Sequence, residues 1–167
     1  SNNAKGINYK AGVSAQLKSA VILAGLNADG VTKIFENYKS RNHTENILAE
    51  NSKVIKFKKK RNIIIAFGKK SLKPLNIDVP GDPSSAAFFT ALTLLNKNSS
   101  LKIKNVGLNP TRIGFYKLLK KQGAKIKFEN IKKENNEVRG DILIKSCNLS
   151  PLKASKNYYV NSTDEYP

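Results

Sequence analysis

One order of elements is written twice along this chain, and that repetition limits the possible folds more than any single motif. Ser14 and Arg41 stand 27 residues apart, and so do Ser85 and Arg112. Leu48 and Leu119 follow those arginines by the same seven residues, and Ile55 matches Ile126 at an offset of 71. A period this long is not that of a solenoid and predicts two packed copies of one unit. Each copy reads helix–strand–helix–strand–strand, an alternation that argues for an α/β arrangement with its helices covered by sheets.

The first copy is built around AGVSAQLKSAVILAGLNADG, residues 11–30. Its body is apolar almost all round (Val21, Ile22, Leu23, Ala24, Leu26), and a helix with so little polar face is expected to be buried. Its head carries Ser14 and Gln16 beside the unpaired N–H groups of a helix start, where anions bind well. Taken alone, Ser14 is better explained by a simple capping role. Asp29-Gly30 then turns, Val31–Phe35 alternates like a strand, and the polar run Ser40–Glu45 leads into a short helix with Ile47 and Leu48. Lys53–Phe57 and Asn62–Phe67 read as a strand pair, and Asn76–Val79 as a further short strand.

In the second copy, Asp82-Pro83-Ser84 combines an acidic cap with a proline in the first helical turn. The helix Ser85–Leu95 is again apolar on every side. Leu101–Lys104 alternates as a strand. Asn109-Pro110-Thr111-Arg112 opens a helix whose face includes Ile113, Tyr116 and Leu119. That helix closes on Lys120-Lys121 and Gly123, which suits the dipole and a left-handed cap. Ala124–Phe128 and Asp141–Lys145 read as the second strand pair.

A length of 167 residues gives room for one ordinary domain or two small ones. The net charge of +18 invites a nucleic-acid reading, but 26 of the 30 cations are lysine and only four are arginine. Surfaces that read bases or clamp single strands favour arginine and interleaved aromatics. The lysine excess, together with 20 asparagines, reads as compositional drift on solvated faces, and the run Lys58–Arg61 as a surface turn. The single cysteine, Cys147, rules out an internal disulfide and reads as inert core. A lone histidine, His43, rules out a histidine-rich metal site and belongs to a helix start. No apolar run is long enough to span a bilayer and no leader is visible. The absence of methionine and the abrupt end at Tyr166-Pro167 suggest a piece of a longer protein.

Several stretches together resemble the EPSP synthase (5-enolpyruvylshikimate-3-phosphate synthase) family. They are Val13-Ser14-Ala15-Gln16-Leu17-Lys18-Ser19-Ala20, Ser40-Arg41-Asn42-His43-Thr44-Glu45, Val79-Pro80-Gly81-Asp82-Pro83-Ser84-Ser85, Asn109-Pro110-Thr111-Arg112-Ile113-Gly114 and Asp164-Glu165-Tyr166-Pro167. The Ser-Ala-Gln form with Asp-Glu-Tyr-Pro is similar to the class II, glyphosate-tolerant branch. Glyphosate sensitivity itself is not legible, because the family's glycine-rich stretch does not occur in this chain. Ser162-Thr163 stand where the family usually has an apolar pair ahead of the aspartate.

The resemblance implies an α/β fold of two domains, each made of three βαβαββ units, of which this chain holds about two from the middle. Residues 1–81 would close the first globular domain, 82–83 would be the hinge crossover, and 84–167 would begin the continuing second domain. It further implies an enolpyruvyl transferase acting on shikimate 3-phosphate and phosphoenolpyruvate, without metal or organic cofactor. Ser14, Ala15 and Gln16 would hold shikimate 3-phosphate, with Gln16 also near phosphoenolpyruvate. Arg41 would pack on the shikimate and Ser40 would add a hydroxyl to the phosphate, while Asp164 would be the catalytic proton acceptor. Neither nucleic acid nor membrane is an expected partner, and the full-length enzyme would be a cytoplasmic monomer. Arg112 reads as structural, bracing the turn on the hinge side. Two alternatives are weaker. A UDP-N-acetylglucosamine enolpyruvyl transferase needs a loop cysteine with glycine and arginine neighbours, which Cys147 lacks; a basic nucleic-acid module would need the arginines that are missing. Between the copies, the heads Ser14-Ala15-Gln16 and Ser85-Ala86-Ala87 differ in the amide, so Gln16 is where substrate is expected.

Overall fold

The computed structural model describes residues 4–50, 53–58 and 62–165. The chain separates into two compact units, Ser1–Ile77 and Asp78–Pro167. In the first unit, β1 (Asn8–Ala11), α1 (Ala15–Asn27), β2 (Val31–Glu36), α2 (His43–Ala49), β3 (Ile55–Lys58) and β4 (Ile63–Phe67) follow in order. The sheet order is β1-β2-β4-β3. β1 and β2 are parallel, so a crossover is needed between them, and α1 is that crossover. The other pairs are antiparallel. Ile22 and Leu26 of α1 close a core with Ile34, Val54, Ile55 and Ile64 from the sheet side.

The second unit repeats the plan: α3 (Pro83–Leu95), β5 (Ser100–Gly107), α4 (Gly114–Lys121), β6 (Lys125–Glu134), β7 (Glu137–Lys145) and a 3₁₀ helix over Lys156–Asn161. Its sheet order, β5-β7-β6, matches β2-β4-β3. Where β1 would lie, Gly81 alone bridges in parallel to Val106. The Gly81 N–H donates to the Asn105 carbonyl at 2.7 Å, and the Gly107 N–H to the Gly81 carbonyl at 2.9 Å. Both copies are therefore βαβαββ units, the second with its opening strand reduced to one bridge.

The offset of 71 holds from the second helix onward: Leu48 and Leu119 are both buried, as are Ile55 and Ile126. It fails at the helix heads. The caps are Ser14 and Asp82, 68 residues apart, because β5 and the turn before it are longer than their counterparts. The structural counterpart of Ser14-Ala15-Gln16 is thus Asp82-Pro83-Ser84 rather than Ser85-Ala86-Ala87. Ser85 lies in the first turn of α3, where its N–H and hydroxyl both donate to Asp82 Oδ2, at 2.9 and 3.0 Å.

Three further expectations are corrected. Asn76–Val79 is not a strand; among the described residues it joins neither sheet, and Val79 is 79% exposed. The second strand pair runs much farther than Phe128 and Asp141, joined by a two-residue turn at Asn135-Asn136. Both turn residues have positive φ, 47° and 60°, the geometry that matches the twist of a tight hairpin. The asparagine surplus is accordingly more than drift. Among the described residues, six of the seven non-glycine positions with positive φ are asparagine. Asn105 and Asn130 sit at the register shifts of β5 and β6. There the Asn105 N–H and the Asn130 side-chain amide donate to Asp141, at 3.0 and 2.8 Å.

The expected all-round burial of the two long helices is also not seen. α1 buries Lys18, Ile22, Gly25 and Leu26, while Leu17 stays 61% exposed. α3 buries Ala86, Ala87, Thr90 and Leu94, while Phe88 and Leu95 stay 79% and 83% exposed. One sheet covers one face of one helix, and each unit has a single sheet. Cys147 lies just beyond β7, half-buried against the core of its unit. Lys59, Lys60 and Arg61 of the basic run, and Tyr166-Pro167 of the last motif, lie outside the described residues.

Candidate active site

The first group of expected site residues is positioned by two helix starts. Ser14 has extended backbone (φ −76°, ψ 114°) and its hydroxyl accepts from the Leu17 N–H at 3.3 Å. It is a true N-cap, and it leaves the remaining first-turn N–H groups of α1 without helical partners. Gln16 is exposed, with its side-chain oxygen 3.4 Å from the Ser14 hydroxyl. Ala15 presents no side chain beyond its methyl, so the backbone here is approachable.

The head of α1 is tied to the head of α2. The hydroxyls of Ser19 and Thr44 are 2.7 Å apart. Lys18, fully buried, donates to Glu36 Oε1 at 2.8 Å and ion-pairs with Glu45 Oε1 at 2.5 Å. The contact to Glu45 is charge on charge, since neither of its buried oxygens has an aligned hydrogen bond. Burial pushes the Glu45 carboxyl above its ordinary value, against the opposing influence of the Lys18 ammonium. These ties bring Ser14–Gln16 and the loop before α2 to one end of the unit. In that loop Ser40 is buried and, among the described residues, its hydroxyl has no hydrogen-bond partner. Arg41 is the next residue, half-buried. A buried, unpartnered hydroxyl next in sequence to an arginine is suited to an anion.

Asp164 belongs to the second unit, in the turn after the 3₁₀ helix, rather than behind a strand. Ser162 is buried there, its hydroxyl donating to the Tyr158 carbonyl, so a polar residue in place of an apolar one is accommodated. The turn is seated on the heads of α3 and α4. Ser84 donates to the Glu165 carboxylate. Gly114 opens α4, and a Cβ there would lie 2.6 Å from the Asn161 carbonyl oxygen; only glycine lets the 3₁₀ helix approach this closely. Before it, the Asn109 side-chain oxygen accepts from the Thr111 N–H and hydroxyl at 3.0 and 2.8 Å. That Asx turn delivers Arg112.

Arg112 is the residue that sequence reasoning left out. Its Nη2 donates to Asp82 Oδ1 at 2.5 Å and to the Ser84 hydroxyl at 2.8 Å, and its Nη1 lies 3.5 Å from Asp164 Oδ2. The expected brace to the hinge-side turn is present, but it reaches the aspartate as well. Desolvation, the largest single influence, pushes Asp82 up. Hydrogen bonds from the Ser85 N–H and hydroxyl, then Arg112 and the Ser84 N–H, outweigh it and hold the carboxyl below its ordinary value. Among the described residues no group of three or more His, Cys, Asp or Glu side chains is gathered to hold a metal ion.

The family model for EPSP synthase (3-phosphoshikimate 1-carboxyvinyltransferase) matches residues 1–154. The 3-phosphoshikimate 1-carboxyvinyltransferase of Aquifex aeolicus is 41% identical over 169 residues, covering 99% of this chain and 39% of that protein. That of Petrotoga mobilis is 45% identical over 160 residues, covering 95% and 37%. The solved EPSP synthase of Acinetobacter baumannii superposes with a TM-score of 0.84 at 36% identity, over 98% of this chain and 37% of that one. The chain spans about two fifths of the length of the curated relatives it matches. With the duplicated βαβαββ architecture and the five motifs in place, the chain belongs to the EPSP synthase family.

Proposed function

We propose that this chain is the middle portion of a full-length enzyme that moves the enolpyruvyl group of phosphoenolpyruvate to the 5-hydroxyl of shikimate 3-phosphate and releases phosphate. In this reading the hinge crossover lies at 82–83, between the close of one globular domain at residue 81 and the continuing domain from 84. The observation that carries the reading is the buried, unpartnered Ser40 hydroxyl at the end of the unit where α1 begins. Phosphate oxygens would take the Ser40 and Ser14 hydroxyls and the first-turn N–H groups at Ala15 and Gln16. The Arg41 guanidinium would bridge oxygens of the shikimate ring, and the Gln16 amide would meet phosphoenolpyruvate. Asp164 would accept the proton of the 5-hydroxyl as that oxygen attacks C2 of phosphoenolpyruvate. The tetrahedral adduct would then lose phosphate to give the enolpyruvyl ether. The enzyme would act as a cytoplasmic monomer on these small molecules, with no nucleic-acid partner. Among the described residues, no helix is long and apolar enough to cross a membrane.

The test is phosphate release by the full-length protein supplied with both substrates. Release should require both, and Asp164→Ala should lower kcat by about 10²- to 10⁴-fold while shikimate 3-phosphate still binds. A wild-type protein that releases no phosphate, or an Asp164→Ala variant with undiminished turnover, would overturn the reading.

A further inference from the structure

We propose that Arg112 is the positioning residue of Asp164, holding the carboxylate by charge from a mount built into the head of α3; this rests on Asp164 being the proton acceptor.

The mount is complete without Asp164. One oxygen of Asp82 is fully used as the cap of α3, accepting from the Ser85 N–H and hydroxyl. The other accepts Arg112 Nη2, which the Ser84 hydroxyl also accepts. The guanidinium is planar and rigid, so fixing one nitrogen at two points fixes the direction of the other. That second nitrogen, Nη1, is the one 3.5 Å from Asp164 Oδ2. The Arg112 side chain is 13% exposed and that of Asp164 44%, so the cation is largely withdrawn from solvent while the carboxylate stays accessible. A contact of 3.5 Å is longer than a hydrogen bond. It orients the carboxylate by charge. The turn carrying Asp164 is held separately, by Ser84 on Glu165 and by Asn161 packed on Gly114. Losing the arginine should therefore misdirect the carboxylate more than it unfolds the segment. In the first copy the corresponding helix, α1, is headed by Ser14 rather than by an acid.

The experiment compares wild type, Arg112→Lys and Arg112→Ala in the full-length protein. A lysine can satisfy Asp82 as a point charge but cannot also reach Asp164 in a fixed direction. Arg112→Lys should remain folded with an unchanged melting temperature. Its kcat should fall roughly tenfold or more, as expected of a misplaced catalytic group, with KM for both substrates and shikimate 3-phosphate affinity within about twofold. Arg112→Ala should lose more, and added guanidinium ion should restore part of its kcat. If Arg112→Ala does not fold, Arg112→Lys decides alone. Wild-type kcat in Arg112→Lys, or a loss that appears in KM and affinity instead, would overturn the positioning role while leaving the proposed reaction standing. A wild-type protein without turnover would remove both.

Discussion

The heads of α1 and α3 are the same structural position in the two copies, and the chain treats them in opposite ways. At α1 the cap is an uncharged serine, and a buried hydroxyl nearby is left without a partner. At α3 the cap is an aspartate, and the chain's own Arg112, Ser84 and Glu165 crowd around it. A serine cap satisfies an N–H without adding charge, so the positive end of the helix can still attract an anion. An aspartate cap neutralises that end and turns an anion away. The same helix occurs twice; the charge of one capping residue separates a head whose positive end is left uncompensated from a head used as a bracket.

The largest effect on this contrast is expected from the buried cation under the open head. Lys18→Met would leave Glu36 and Glu45 without their shared ammonium, and breaking a buried ion pair from one side costs about 3–5 kcal/mol. Denaturant unfolding of the full-length variant measures this; a loss under 1 kcal/mol would mean that the carboxylates find other partners. Next in size is Gly114→Ala, whose new methyl must push the 3₁₀ helix away, at about 1–3 kcal/mol. It should lower kcat together with stability, unlike Arg112→Lys. Smaller again is Ser14→Asp, which makes the first head resemble the second. Stability should hold within about 0.5 kcal/mol because both residues cap well, while affinity for shikimate 3-phosphate should drop roughly tenfold by charge repulsion. Unchanged affinity by calorimetry would place the phosphate elsewhere.

The smallest effect is in pH dependence, and the two copies should slope in opposite directions. Between the ordinary 4.5 and the raised value of Glu45, the folded chain keeps a proton that the unfolded chain has released. Stability from this site therefore declines as pH rises through that window. Asp82 is held low, so its contribution is complete above 3.8 and is lost as pH falls through its folded value. Glu45→Gln should flatten the stability profile above pH 4.5 and Asp82→Asn the profile below pH 3.8. Equal slopes in variant and wild type would remove the corresponding carboxylate from the account.

Much of this was legible in the sequence because periodicity and capping are local. Asp82-Pro83 announced the start of α3, Lys120-Lys121 and Gly123 the end of α4, and the offset of 71 the doubled unit. The three-residue slip at the helix heads was hidden because Ser85, a first-turn residue, happens to match Ser14 by type and spacing. The long β6–β7 hairpin was hidden because its outer half is mostly polar, with only Ile131 and Val138 as apolar side chains beyond Phe128 and before Ile142. Lys18 received no burial assignment from the sequence, yet it shares a helical face with Ile22 and Leu26, at spacings of four and eight. That spacing was the available signal for its burial. No local pattern marks Arg112 as a neighbour of Asp164, 52 positions later in the chain; only tertiary structure joins them.

The excess of cations over carboxylates has one consequence for encounter rates. Acidic residues are engaged within the chain: Glu36 and Glu45 on Lys18, Asp78 and Glu134 on Arg139, Asp82 and Asp164 on Arg112, Glu129 and Asp141 on Lys102, Glu137 on Asn109 and Glu165 on Ser84. Paired or not, the 12 acids set against 30 cations leave a net charge of +18, so the field around this part of the molecule is strongly positive. Two anionic small molecules arriving by diffusion would be drawn in from beyond contact range, and kcat/KM would fall as added salt shortens the Debye length below about 10 Å.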